Sequence, residues 1–130
     1  MTRNPTFEDV LGPLAAAIVR EVAARGEASV ADIVEALRVA QGRDHAYTTI
    51  MTVMGRLHER GVLTRERRGR QFVYRASAPE ADLVDQLSRQ AVDRLVDRYG
   101  TAALRHFAVR LADLDAATRE RLVALAEEPG

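Results

Sequence analysis

Apolar positions recur three and four residues apart through most of this chain, with polar residues between them. In PLAAAIVREVAARG, residues 13–26, Leu14, Ile18, Val19 and Val22 form one stripe, the spacing of an amphipathic helix. Pro13 suits a first helical position and Gly26 a stop. SVADIVEALRVA repeats the pattern with Val30, Ile33, Val34 and Leu37. Ser29 and Asp32 stand at the spacing of a capping box, in which each side chain accepts the other residue's backbone N–H. A polar connector, Gly42 to His45, follows.

AYTTIMTVMGRLHER, residues 46–60, predicts a third helix stopped by Gly61. On a helical wheel centred on Ile50, Ala46, Val53, Met54 and Leu57 fall within about 60° and form the expected buried stripe. Thr48, Thr52, Gly55 and Glu59 lie opposite, flanked by Thr49, Met51 and Arg56. That outer face is short and hydroxyl-bearing, unlike the dense charge of an idle solvated helix. The period then changes. VLTRER and QFVYRA, rich in β-branched and aromatic residues around Gly69, predict a β-hairpin. Three helices and a hairpin within about 65 residues is the order of a winged helix-turn-helix.

From Pro79 the helical period returns. PEADLVDQLSRQAVDRLVDRYG carries Leu83, Leu87, Ala91, Leu95 and Tyr99 along one stripe. TAALRHFAVRLADLD adds Leu104, Phe107, Ala108 and Leu111, and ATRERLVALAEE adds Leu122, Leu125 and Ala126. Short amphipathic helices do not bury their faces alone. They must fold against each other, against the first domain or against a second copy. The expected fold class is therefore mainly α with a small β-hairpin. A winged helix-turn-helix domain spans residues 1–77, and a helical region, residues 78–130, follows.

Composition narrows the chemistry. The 130 residues contain no cysteine, and all 19 basic residues are arginine. Thiolate nucleophiles, thiolate metal sites, Schiff-base lysines and Walker-type phosphate loops are thereby excluded. His45, His58 and His106 are not spaced as a metal set, and no Ser–His–Asp grouping stands out. No enzymatic activity, metal or cofactor is expected. No apolar run approaches the ~20 residues of a membrane span. The opening MTRNPTFEDVLGPL has no secretory signal pattern, so a cytoplasmic location is expected, without membrane insertion.

Charge changes the picture most. The chain is neutral overall, yet residues 43–75 hold eight arginines against three acids, a net of +5 that leaves −5 elsewhere. Five of those arginines (65, 67, 68, 70 and 75) crowd into TRERRGRQFVYR. Such polarity focuses attraction for phosphate. An isolated arginine hairpin is more simply an edge blunted by charge; directly after a candidate recognition helix, it reads as a grip on sugar-phosphate backbone. On the helix, Thr48, Met51 and Thr52 suit base edges, Gly55 close backbone approach, and Arg56 a phosphate. Phe72 and Tyr74 share one strand face. They suit stacking on unpaired bases or packing on the helices, and packing is the expectation.

AYTTIMTVMGRLHERGVLTRERRGRQFVYRA resembles the penicillinase-repressor (BlaI/MecI) family of bacterial winged-helix repressors, in which a run of the form AYTTVMTVLxRLxxKGLLxRxxxGRxxxYR joins recognition helix to wing. LGPLAAAIVREVAARGEASVADIVEAL is similar to the family's first two helices, although Ala15 replaces the usual acid. The resemblance is strong to about residue 76 and looser beyond. It implies a homodimer that binds a palindromic operator in double-stranded DNA and blocks transcription. It places DNA contacts on Tyr47, Thr48, Thr49, Met51, Thr52 and Arg56 of the helix and on Arg67, Arg68 and Arg70 of the wing. It assigns the C-terminal stripes (Leu83, Leu87, Leu95, Tyr99, Leu104, Phe107, Leu111, Leu122 and Leu125) to dimerisation.

Two departures bear on regulation. The family's copper-responsive branch has a cysteine-rich tail, which this chain lacks. Its antibiotic-responsive branch is cut at an Asn-Phe bond in the dimerisation arm by a membrane sensor-protease. The nearest equivalent here is His106-Phe107, where Phe107 reads first as a dimer-core residue and the bond as a candidate cleavage site. An effector-sensing winged-helix regulator and a winged-helix module for acidic protein partners remain as alternatives.

Overall fold

A computed structural model of the chain describes residues 6–127. Residues 1–5 of the opening segment, and 128–130, lie outside it. The order of elements is α1 (Phe7–Leu11), α2 (Pro13–Arg25), β1 (Ala28–Ser29), α3 (Val30–Gln41), α4 (Tyr47–Glu59), β2 (Leu63–Arg68), β3 (Gln71–Ala76), α5 (Glu80–Tyr99), α6 (Thr101–Ala112) and α7 (Ala116–Glu127). This is a winged helix-turn-helix followed by helices, as its sequence pattern predicts.

The helix boundaries have local causes. Ser29 Oγ accepts the Asp32 N–H at 3.1 Å and Asp32 Oδ2 accepts the Ser29 N–H at 2.9 Å, closing the expected capping box. α4 ends in a Schellman motif: the Val62 N–H donates to the Leu57 carbonyl at 2.9 Å and the Gly61 N–H to that of His58 at 3.0 Å. Gly61 takes φ +77°, the left-handed conformation this cap requires. Leu57 and Val62 are both buried in the core, so the cap directs the chain from α4 into β2 without a loop.

Two small elements were not expected. α1 is a single short turn closed by a Thr6–Asp9 capping box. β1 is two residues long and adds a third strand, giving an antiparallel sheet in the order β1-β3-β2. Ala28 pairs with Tyr74 and Ser29 with Val73; across the hairpin, Arg65 pairs with Tyr74, Arg67 with Phe72 and Arg68 with Gln71. Gly69 and Arg70 form the two-residue tip. Only Gly69 has positive φ (+65°), as a type II′ hairpin requires at its first central position.

The described chain divides into two compact units, up to Ser88 and from Arg89 onward, with α5 contributing to both. In the first, Ile18 and Val22 of α2, Ile33 and Leu37 of α3, Ile50, Met54 and Leu57 of α4, Leu63 and Tyr74 of the sheet and Phe7 of α1 form one buried cluster. Two expectations are corrected here. Ala46 is exposed, because it is the N-cap of α4 and stands outside the helical stripe. Leu83 and Leu87, assigned to dimerisation, are 1% and 0% exposed and belong to this same core. They therefore offer no surface to a second chain. Arg20 reinforces their attachment, bonding Glu80 of α5 at 2.8 Å and Glu8 of α1.

The second unit is different in kind. Neither α6 nor α7 contains a buried residue. Leu95, Tyr99, Leu104, Phe107, Leu111, Leu122 and Leu125 are all exposed, Leu104 and Phe107 by 59% each. No helix among the described residues is long and apolar enough to cross a membrane.

Candidate nucleic-acid interface

The outer face of α4 is arranged as its wheel predicts. Tyr47, Thr48, Thr49, Met51, Thr52 and Arg56 are all exposed, while Ile50, Met54 and Leu57 hold the opposite face in the core. Tyr47 and Met51 are large apolar groups left about half in solvent. Gly55 has no packing reason within the described chain: a Cβ built there meets nothing within 4 Å. An interior helical glycine costs roughly 1 kcal/mol relative to alanine, and no contact in the described fold offsets that cost.

The start of α4 is also unlike the starts of α1 and α3. Those two N-termini are closed by capping boxes whose second member is an aspartate. α4 has Ala46 as N-cap, no side-chain cap and no acid in its first turn. The Thr49 and Ile50 N–H groups turn back to the Ala46 carbonyl, but no side chain caps the first turn and no acid offsets the positive end of the helix dipole, a setting that favours an anion.

The wing has two faces, fixed by strand register. Leu63, Tyr74 and Ala76 lie on one, together with Arg65, Arg67 and Phe72. Leu63 and Tyr74 bury this face against the helices, and it continues outward as Phe72, then the tip. Phe72 and Tyr74 meet edge to face with ring centroids 6.4 Å apart, but they do not share a fate. Tyr74 is 2% exposed core; Phe72 is 37% exposed, which corrects the expectation that both pack as core. Phe72 lies too far along the hairpin for the helices to cover. It instead forms a platform under the Arg65 guanidinium, 4.1 Å from the ring centroid. Arg65 also donates to the Tyr74 hydroxyl at 3.4 Å, and Arg67 Nε donates to the Gly69 carbonyl at 3.2 Å.

The other face carries Thr64, Glu66, Arg68, Gln71, Val73 and Arg75. Here Arg68 donates twice to the Glu27 carboxylate, at 2.8 and 3.0 Å, and also bonds Glu66. Arg75 donates to Glu27 Oε2 at 2.8 and 3.2 Å and lies 3.8 Å from Glu66. The Arg68 and then the Arg75 hydrogen bonds hold the Glu27 carboxyl at about 2, well below the usual carboxylate range. The wing arginines are therefore not equivalent. Arg68 and Arg75 face carboxylates, whereas Arg65, Arg67 and Arg70, like Arg56 of α4, enter no ion pair among the described residues.

The base of the wing is fixed to α4. The His58 Nδ1 sits 3.2 Å from the Leu63 carbonyl, so the ring donates there. Ser77 closes the far strand, its hydroxyl donating to the Gly61 carbonyl at 2.7 Å and its N–H to that of Val62 at 3.0 Å. Glu27 and the platform role of Phe72 had escaped sequence reading. Strand parity places Phe72 on the Arg65 face, but nothing local to the hairpin points to a glutamate some 40 residues earlier.

In the second unit, Leu95, Tyr99, Ala102, Ala103, His106, Phe107 and Arg110 line an open apolar groove of about 560 Å³. The His106–Phe107 bond lies in the middle of α6.

A three-helix core that presents an uncapped, hydroxyl-rich helix beside an arginine-bearing hairpin defines a winged helix-turn-helix DNA-binding protein. The sequence model described as penicillinase repressor matches residues 11–128, and the chain belongs to that family, whose members are DNA-binding transcriptional repressors. An uncharacterized 16.5 kDa protein of Latilactobacillus sakei is 31% identical over 78 residues, which cover 60% of this chain and 52% of that relative. The chain thus spans about half the length of the curated relative it matches.

Proposed function

We propose that the protein is a cytoplasmic homodimeric repressor that binds a palindromic operator. The observation that carries this reading is the contrast within α4, whose inner residues Ile50, Met54 and Leu57 are buried while its outer face is exposed, its N-terminus has no side-chain cap and Gly55 faces open space. In this reading Thr48, Thr49, Met51 and Thr52 meet base edges, through hydroxyl hydrogen bonds and methyl contacts. Tyr47, Arg56, Arg67 and Arg70 meet the backbone, and Arg68 does so only by leaving Glu27. The exposed stripes of Leu95, Tyr99, Leu104, Phe107, Leu111, Leu122 and Leu125 form the dimer surface. A dimer presents two recognition helices to two half-sites and supplies the affinity that one small module lacks.

The test is selection from a random duplex pool, followed by salt titration of the best binder and sedimentation of the free protein. A two-fold symmetric motif, an affinity falling steeply with salt and a dimeric mass are expected. A pool that yields no motif, with only weak salt-sensitive binding, would make the wing a grip for acidic protein surfaces.

Release by proteolysis at His106–Phe107, through a membrane sensor-protease, is the accompanying proposal for regulation. Its support is the Phe107 match and the exposure of that segment. Because the bond is helical, cleavage requires local unwinding of α6, which proteolysis in general exploits. Mass spectrometry of the repressor after activation of the cognate sensor tests it; an intact 106–107 bond refutes it.

A further inference from the structure

We propose that Glu27 is a positioning residue for DNA binding, one that competes with phosphate for Arg68 and Arg75 and so sets how strongly the wing grips any duplex. The inference rests on the repressor reading above.

The antiparallel register that pairs Ala28 with Tyr74 continues to place Glu27 opposite Arg75, on the sheet face away from the core. Gly26, at φ +82°, ends α2 and turns the chain so that Glu27 arrives at this edge. Its two oxygens then take four donor contacts, two from Arg68 and two from Arg75. Glu66 closes the cluster from the neighbouring strand. Two carboxylates and two guanidiniums make a neutral group. Isolated surface ion pairs contribute little, but a bidentate arginine fork shared within a network holds its geometry better.

The consequence is a division of labour that five arginines in twelve residues would not suggest. Arg65, Arg67 and Arg70 keep their charge for phosphate, while Arg68 and Arg75 must first break with Glu27. A wing in which Glu66 alone faced Arg68 and Arg75 would hold every duplex more tightly and erode discrimination between operator and bulk DNA, because phosphate contacts carry no sequence information. Glu27 limits that non-specific term while keeping the hairpin fixed against the β1 edge.

The experiment is a double-mutant cycle read as the salt dependence of binding to a duplex of arbitrary sequence. Each phosphate contact contributes about 0.9 to the log–log slope. R70Q should lower the slope by about that amount, and R68Q by less than half of it. E27Q should strengthen binding several-fold at low salt and steepen the slope. In the E27Q background, R68Q should cost more than it does in the wild type, though still less than R70Q, because Glu66 continues to bond Arg68. Circular dichroism melts of each variant check that the wing unit is folded.

If R68Q and R70Q cost the same in the wild type, or if E27Q leaves the slope unaltered or weakens binding in a folded protein, the inference is overturned while the repressor reading stands. If the wild type shows no salt-sensitive duplex binding, the repressor reading itself fails, and this inference with it.

Discussion

Two halves of one helix differ in what explains them. Along α5, Leu83, Leu87, Leu95 and Tyr99 continue a single apolar stripe. Leu83 and Leu87 are sealed in the core of the first unit, whereas Leu95 and Tyr99 are 48% and 53% exposed. The same periodicity is satisfied inside the chain at one end and unsatisfied at the other. The contrast recurs elsewhere. Gly61 is required by the cap it forms, but Gly55 by nothing in the described fold; Arg68 has its carboxylate, and Arg70 has none. Positions that the fold explains carry stability. Positions that it leaves unexplained are those the proposed partners would cover.

The largest expected effect separates the halves of α5. Leu87→Ala removes a fully buried side chain and should destabilise the first unit by about 2–5 kcal/mol, read as a lowered denaturant midpoint. Leu95→Ala should shift that midpoint by less than ~0.5 kcal/mol. Equal losses would show that the two leucines belong to one core after all. Tyr99→Asp sharpens the other side of the comparison. A charge placed on the proposed dimer surface should weaken self-association at least about tenfold, or roughly 1.4 kcal/mol. The dilution-dependent change in sedimentation should then move to higher concentration, with the melting of the first unit unaltered. An unchanged association constant would remove Tyr99 from the dimer surface.

The glycines should respond with opposite signs. Gly61→Ala forces a side chain into a left-handed position, a loss of about 1–2 kcal/mol, and sets a Cβ 3.1 Å from Gln86 Nε2. Gly55→Ala replaces an interior helical glycine facing open space, so the free protein should gain up to about 1 kcal/mol. Under the proposed reading its DNA affinity should fall, because the added methyl would stand where the duplex is proposed to approach. A Gly55→Ala protein that is both more stable and equally tight would leave Gly55 without a role in recognition.

Much of the first unit was legible in its sequence because the signals are local. The Ser29–Asp32 box, the Gly61 stop and the Ile50–Met54–Leu57 stripe each lie within a few residues and fix α3 and α4 nearly to the boundary. The outer face of α4 follows from the same wheel, since what is not inside must be outside. β1 is too short to show a period, and it is defined as a strand only by its pairing with Tyr74 and Val73. The split fate of α5 was not legible, because spacing reveals that a face is apolar and not what covers it. Nor was the sorting of the arginines. Composition counts them as equals, and the carboxylate that separates them arrives from the end of α2, brought close by a strand register that no local pattern encodes.

The smallest effect expected is also the one that inspects the arginine sorting directly. Arg68 first, and Arg75 after it, depress the Glu27 carboxyl from 4.5 to about 2. A depressed folded-state value means that the stabilising contribution of Glu27 is complete above about pH 4.5 and is lost as pH falls towards 2. Between pH 7 and 4.5 Glu27 stays ionised, so the clasp should hold constant and contribute no change to the wild-type salt slope over that range. Following the Glu27 side-chain carboxyl carbon by NMR from pH 7 to 2 should give a midpoint near the lower value, with the Arg68 guanidinium signals moving in step. A midpoint near 4.5 would mean that Glu27 does not hold Arg68 in solution. Arg68 would then keep only its Glu66 contact and stand closer to Arg70, which enters no ion pair among the described residues.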